Sequence, residues 1–415
     1  MISVPNHRQL LSGNKIFLYI IITLVTAACS PRVRTVTLRP AILAEKPITQ
    51  QKNGKTGVDV TVKVSTIALL LPFGLDHMAP GQAYNYVSLK KADIALDYYQ
   101  GFKLALDSLT VQGFNYRLQL FDAKDDAVLA HKLAYKTEIR ASDLIVGPVF
   151  PESIKAFTSV LTSARNPIIS PLSPASPNIF KNQNLITITP PLEYHAWSAA
   201  RYIHNKIKPK KIFILRSGYS EENDYLIPFK KAIDSLSNKN IKVISIPVIH
   251  GNLAALIPQL SVNETNVFVM VSTNQHFLTV TLRALDTLNN SYPVNLFGHP
   301  GWKNLSFLNV NILQRLNTMI TTAGEVDFKA ANTITFMHSY RKAYHTEPSA
   351  YAVKGFDEGL YFGQLLGTNM LKNPNQTDFT GLHSNFHLVK KPGIGWVNTA
   401  VNLVKYVNFE LKKVE

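Results

Sequence analysis

From residue 64 onward, short apolar runs alternate with longer stretches of helical period. Residues 66–71 (TIALLL) are too few for a helix and are closed by Pro72, which predicts a buried strand. Over 92–109, Ile94, Tyr98, Phe102, Ala105 and Leu109 fall on one helical face, with Gly113 just past the end. A strand over 116–121, a helix over 127–140, a strand over 144–146, a helix over 153–164 and a strand over 167–170 follow. This succession predicts a parallel sheet covered by helices on both faces. After Thr189-Pro190-Pro191 the pattern restarts. It predicts helices over 193–206, 224–236, 254–260 and 275–288, and strands over 211–215, 241–246, 267–271 and 294–297. The chain thus reads as two α/β units in series. Its tail differs, with helices over 330–343 and 351–371 and antiparallel strands over 386–388 and 399–411.

The start of the chain carries a different signal. Arg8 and Lys15 precede the ten-residue apolar run 16–25, and Thr26-Ala27-Ala28-Cys29 follows. The run is half the length of about 20 residues needed to span a bilayer. A basic segment, a short apolar segment and small residues form an export signal. The single cysteine of the chain, Cys29, sits at the cleavage position. The segment resembles the lipobox of bacterial lipoproteins, and it reads alternatively as an ordinary secretory signal with a coincidental cysteine. The resemblance implies a signal peptide over 1–28, lipidation of Cys29 and an anchor of several acyl chains, since one chain binds only marginally. Residues 29–63 are rich in Pro, Lys, Thr and Gln without a sustained period, and read as a flexible tether. Ser30 after the cysteine resembles outer-membrane rather than inner-membrane sorting. The expected location is the cell envelope, lipid-anchored and facing the periplasm.

Composition narrows the class. With 46% hydrophobic and 17% charged residues, the 415-residue chain is neither disordered nor collagen-like. One cysteine excludes an internal disulfide framework and a Cys-cluster metal site. The formal charge of +16 calls for an anionic neighbour, and export puts nucleic acid out of reach. His383 and His387 lie four apart in a loop-to-strand region without a nearby acid, which is poor metal-site context. Asp122, Asp125 and Asp126 precede a helix and read as caps before they read as cation ligands. The stripe Phe336, Tyr340 and Tyr344 reads as core packing. No catalytic motif or cofactor loop is visible, so neither an enzyme nor a cofactor is expected.

Three segments carry a resemblance. The first is 143–174, DLIVGPVFPESIKAFTSVLTSARNPIISPLSP. The second runs from Phe336-x3-Tyr340-x3-Tyr344 through Glu347-Pro348 to Tyr351-Ala352-x2-Gly355-Phe356-Asp357. The third is the opening ALLLPF of 68–73 with Tyr99-Gln100-Gly101-Phe102-x2-Ala105-Leu106-Asp107. Together they resemble the type I periplasmic-binding-fold lipoproteins, the leucine/isoleucine/valine-type substrate-binding family of ABC transporters, in a Bacteroidetes-like form. The resemblance implies an α/β chain of two lobes, each a parallel doubly wound sheet, joined by three inter-lobe crossovers. These are expected near 189–191, 324–327 and 373–377, giving lobe 1 as 64–190 plus 326–373 and lobe 2 as 191–325 plus 374–415.

The implied function is a non-enzymatic capture of a small polar ligand, such as an amino acid, peptide or muropeptide-like molecule, between the lobes. Its partner would be a transporter permease. The same fold also implies an alternative, an interaction module regulating a cell-wall synthase of the penicillin-binding type. Candidate cleft residues follow from strand ends: Phe73, Phe150, Ser153, Ser170 and Ser173 in lobe 1, and Tyr219, Ser272, Asn274, His299 and Trp302 in lobe 2. Each of the hydroxyl and amide residues reads as a turn or helix cap before it reads as a ligand contact. The family's amine-binding acid is expected where Pro300 stands, and Pro151 and Pro174 occupy two hydroxyl slots. Glu221, Glu222 and Glu325 are the remaining acids that lobe 2 offers.

Overall fold

The computed structural model describes residues 63–77, 85–162, 166–374 and 378–414. Cys29, the export segment and nearly all of the expected tether lie outside them. The strands in chain order are β1 (Val64–Leu71), β2 (Asn115–Asp122), β3 (Leu144–Val146), β4 (Ile168–Ser170) and β5 (Leu185–Thr187), then β6 (Lys211–Arg216), β7 (Lys242–Pro247), β8 (Asn266–Met270), β9 (Val294–Gly298) and β10 (Met319–Thr322). The tail adds β11 (Phe379–Thr380), β12 (Asn385–Phe386), β13 (Leu388–Lys391), β14 (Gly395–Asn398), β15 (Asn402–Val407) and β16 (Glu410–Lys413).

The strands form two seven-stranded sheets, ordered β13-β14-β5-β4-β3-β1-β2 and β16-β15-β10-β9-β8-β6-β7. The first five strands of each lobe are parallel and share one order, 2-1-3-4-5 in lobe numbering. That order is the doubly wound arrangement with a switch point between its first and third strands. The strands are apolar on both faces because both faces are covered. Ile67, Leu69 and Leu71 enter one core while Ala68 and Leu70 enter the other. In the second sheet Phe213, Leu215, Phe268 and Met270 face one way and Ile212, Ile214, Val267 and Val269 the other.

Differences from the sequence expectation have local causes. The helix expected over 127–140 is two pieces, Ala127–Leu133 and Thr137–Arg140. The first is capped by Asp126, whose carboxylate accepts from the Val128 and Leu129 amides. The strand expected over 399–411 is the hairpin β15–β16, because Asn408 and Phe409 both take positive φ, 51° and 65°. Three short elements, β5, β10 and the helix Val310–Arg315, were not marked by any period. The lobe assignment of 374–398 is corrected: β13 and β14 pair into the first sheet, β14 running parallel to β5. The third crossover is therefore the stretch 399–401 between β14 and β15, not 373–377. Nothing in the apolar pattern distinguishes a strand of one sheet from a strand of the other.

Helix Ala350–Gly367 lies across helix Tyr86–Val111 with the two backbones in contact. A Cβ on Gly101 would collide with the Ala352 carbonyl, and one on Gly355 with the Tyr98 carbonyl. This close approach explains the glycines in the resembling segments and draws residues 350–367 onto lobe 1. Gly355→Val should therefore cost about 3 kcal/mol or more in urea unfolding, as a small-to-large change with no room to relax. A loss under about 1 kcal/mol would show that the helices do not touch there.

Candidate functional site

All three crossovers leave or enter at the carboxyl edges of the parallel strands. They follow β5, β10 and β14, and β14 is parallel to β5. The carboxyl edges of both sheets thus face the hinge, and the two switch points, β1/β3 and β6/β8, border the gap between the lobes. Phe73 follows β1, Phe150 follows β3, Tyr219 follows β6, and Ser272 and Asn274 follow β8.

On the lobe 1 side the lip is apolar. Phe73, Phe150 and Leu172 are half-buried against the first core, Phe73 meets Tyr99 edge-on, and the Lys91 ammonium sits 5.1 Å over the Phe150 ring. Three hydroxyls of another kind belong to the other side of this sheet. Ser153, Ser170 and Thr187 are buried, and their oxygens have no hydrogen-bond partner. Ser170 and Thr187 are register partners at the ends of β4 and β5, about 4.8 Å apart by strand spacing. Both lie two residues beyond Ile168 and Leu185, so they share the sheet face covered by helix Pro151–Val160. Ser153 stands in the first turn of that helix, whose N-cap, Phe150, supplies no side-chain acceptor. Thr187 escaped the sequence reading because β5 did; the alternation in LITIT before Pro190-Pro191 was the available signal. Ser173 is a turn residue, its hydroxyl accepting from the Ala175 amide.

The lobe 2 side is largely occupied by its own structure. Trp302 is fully buried, and its indole N–H donates to the Ser272 carbonyl at 2.9 Å. His299 accepts from the Gly301 amide through Nδ1, and burial lowers its pKa to about 4. Asn274 caps helix Gln275–Leu288 by accepting from the Phe277 amide, and the Ser272 hydroxyl donates to that of Ser217 at 3.3 Å. Glu222 is buried and committed: it accepts from the Ser217 amide and hydroxyl and lies 3.7 Å from Arg216. Glu325 pairs with Lys303 at 2.8 Å. Tyr219, 53% exposed, is the sequence-predicted residue of this lobe left presenting its side chain to solvent.

The hinge is held by buried polar side chains. Asn398 uses both ends of its amide. Its Nδ2 donates to the Ile188 carbonyl at 2.9 Å and the Asn385 carbonyl at 2.8 Å, while Oδ1 accepts from the His387 and Ala400 amides at 3.0 Å. It thereby joins the first crossover to the third. Asp357 accepts from the Leu382, His383 and Ser384 amides, all at 2.8 Å, and burial raises its carboxyl to about 6 against those three bonds. Ser384 in turn bridges Gly324 of the second crossover. His195, next to the first crossover, contacts the Thr321 hydroxyl at 2.9 Å; burial first, then the His299 and Lys303 charges, lower its pKa to about 3. His383 falls to about 3 for the same leading reason. His387 pairs with Asp378 at 2.7 Å, so the two tail histidines have separate partners.

No family model and no curated protein matches the chain. Solved structures do. A putative branched-chain amino acid ABC transporter protein from Rhodospirillum rubrum matches with a TM-score of 0.59 at 12% identity, over 85% of this chain and 100% of the other. An ABC transporter substrate-binding protein from Desulfitobacterium hafniense, in complex with Leu, gives 0.55 at 14%, over 85% and 100%. A branched-chain amino acid ABC transporter periplasmic ligand-binding protein from Burkholderia xenovorans gives 0.56 at 12%, over 85% and 94%. The chain has the two-lobed type I periplasmic-binding fold. At these identities the likeness carries the fold of this binding-protein architecture and leaves the ligand open.

Two measurements check the hinge of this periplasmic-binding fold. Asn398→Ala removes four hydrogen bonds and strands buried backbone groups, so it should cost about 2–4 kcal/mol in denaturant unfolding. A neutral effect would mean that water replaces the amide at no cost. His195, His299 and His383 stay neutral in the fold while the unfolded chain protonates near pH 6.5. Folded pKa values below unfolded ones leave stability intact above about pH 6.5 and remove it as pH falls toward 3–4, by up to about 1.4 kcal/mol per pH unit for each group. Asp357, raised to about 6, acts in the opposite sense, so the comparison is made between wild type and His195→Gln. The variant should lose less stability between pH 7 and pH 4; identical slopes would contradict a neutral buried His195.

Proposed function

We propose that this chain is a membrane-anchored, non-enzymatic binding lipoprotein that captures a small polar ligand between its lobes for an ABC-type transport system. The observation that carries this reading is the trio Ser153, Ser170 and Thr187. Buried hydroxyls ordinarily find a partner, and leaving one without costs about 1–3 kcal/mol. Two on one sheet face at the carboxyl edge, and a third in the first turn of the helix above them, whose N-cap adds no side-chain bond, are donors arranged for an anionic group such as a carboxylate. The aromatic lip of Phe73 and Phe150, with Tyr219 opposite, supplies the apolar part of such a pocket. Lobe closure about the hinge would bring the two sides together. Anchoring through Cys29, at the outer membrane rather than the inner, is part of the same proposal and rests on the lipobox-like segment.

One observation favours the second reading, an interaction module that regulates a cell-wall synthase. The strand ends of lobe 2 that would hold a ligand amine are filled by Trp302 and Pro300, and Glu222 and Glu325 are already paired. A lobe plugged in this way suits recognition by a protein surface.

The two readings separate by measurement. A thermal-shift panel of amino acids, short peptides and muropeptides should stabilise the protein with at least one member, since a ligand bound only by the folded state raises stability. Thr187→Val and Ser170→Ala should leave the ligand-free protein as stable or more so, because each removes an unpaired hydroxyl, while weakening that ligand at least about tenfold. A panel without any stabilising member, together with recovery of a synthase rather than a permease from host membranes, would transfer the assignment to the second reading.

A further inference from the structure

A cavity lies away from both switch points, on the flank of the hinge. It measures about 660 Å³. One wall is helix Leu192–Tyr202 of lobe 2, which turns Ala196, Ala199 and Ala200 into the core and presents Tyr194, Trp197 and Arg201 outward. The facing wall comes from the first sheet and its neighbourhood, with Lys391 at the end of β13, and the floor is the third crossover from Thr399 to Asn402.

The chemistry of this cavity is selective. Trp197 and Arg201 are one helical turn apart on the same face. Trp197 is 40% exposed, whereas the other two tryptophans, Trp302 and Trp396, are 1% and 8% exposed. An indole face left open to solvent inside a cavity is a stacking platform. Arg201 and Lys391 both line the cavity, and among the described residues neither pairs with a carboxylate. The acid in the wall, Glu193, accepts from the Ser176 hydroxyl at 2.8 Å and keeps its charge, so the lining sets two cations against one carboxylate. Two unpaired cations beside an exposed indole, with Asn402 and Thr399 offering amide and hydroxyl groups, suit a ring that is apolar on its face and hydroxylated at its edge and that carries a negative charge.

We propose that this hinge-flank cavity is a second binding site, for an acidic sugar: a pyranose bearing a carboxylate or phosphate. The C–H face of the sugar stacks on Trp197, and its anionic group is held by Arg201 and Lys391. Because the walls belong to different lobes and the floor is a crossover, the bound sugar touches both lobes and the hinge at once. The site shares no residue with the hydroxyl trio or the aromatic lip, so it stands whichever reading of the main cleft holds.

The test uses the full chain and the fact that Trp197 is its one exposed tryptophan. Titration with glucuronate and with glucose 6-phosphate should shift tryptophan emission and protect it from acrylamide quenching, with glucose at least tenfold weaker. Calorimetry on Trp197→Ala, and on Arg201→Gln combined with Lys391→Gln, should show at least a tenfold loss of affinity for both acidic sugars. Circular dichroism should show both variants folded, as expected of surface changes. Glucose binding as well as glucuronate would overturn the proposal. So would inorganic phosphate binding as tightly as glucose 6-phosphate, or acidic-sugar affinity unchanged in either variant.

Discussion

Two of the three crossovers that make this chain a two-lobed molecule are tied together by one buried side-chain amide. Asn398 ends β14 with two donors and two acceptors satisfied by backbone from the first crossover, the third crossover and the β12 region. An amide buried without such partners would be strongly destabilising, and with all of them it fixes where the chain may cross between lobes. Asp357 plays the matching part for the second crossover. Its carboxylate gathers three amides of 382–384, and Ser384 bridges Gly324, where a Cβ would strike the His383 carbonyl. The hinge is thus a set of backbone strands held in register by polar side chains that have little freedom to be anything else.

With the crossovers fixed, the rest follows from repetition. The same five-strand order occurs in both sheets, so both switch points open toward the same gap. The two sides are then finished differently. Lobe 1 keeps an aromatic lip and, on the other face of its sheet, unpaired hydroxyls, while lobe 2 fills its strand ends with Trp302 and pairs Glu222 and Glu325. The open indole on the flank sits where the lobes are tied together.

Burial also acts on charge at the hinge. His195, His299 and His383 are all pulled toward neutrality by desolvation, and Asp357 is pushed toward its protonated form. Lys354 is lowered for the same leading reason, although Glu358 opposes it. A seam between lobes that carried full charges would favour the open, hydrated arrangement. Neutral histidines and the backbone-solvated Asp357 hold the seam through hydrogen bonds instead.

The sequence by itself determined the local elements and their class. Runs such as TIALLL and VFVMV are apolar at every position because parallel strands are buried on both faces, and that signal is local. So is Asp126 before Ala127, since a cap needs only its own next turn. Glycines 101 and 355 were legible as part of a resembling pattern, but their reason, two helix backbones in contact, is a relation between residues more than 250 positions apart. What only the tertiary structure decided is of that second kind. It placed β13 and β14 in the first sheet, moved the third crossover to 399–401, and set Ser170 beside Thr187 and Trp197 across from Lys391. Periodicity reports which face of an element is apolar. It carries no information about which sheet a strand joins or which hydroxyl is left without a partner, because those depend on hydrogen bonds to segments distant along the chain.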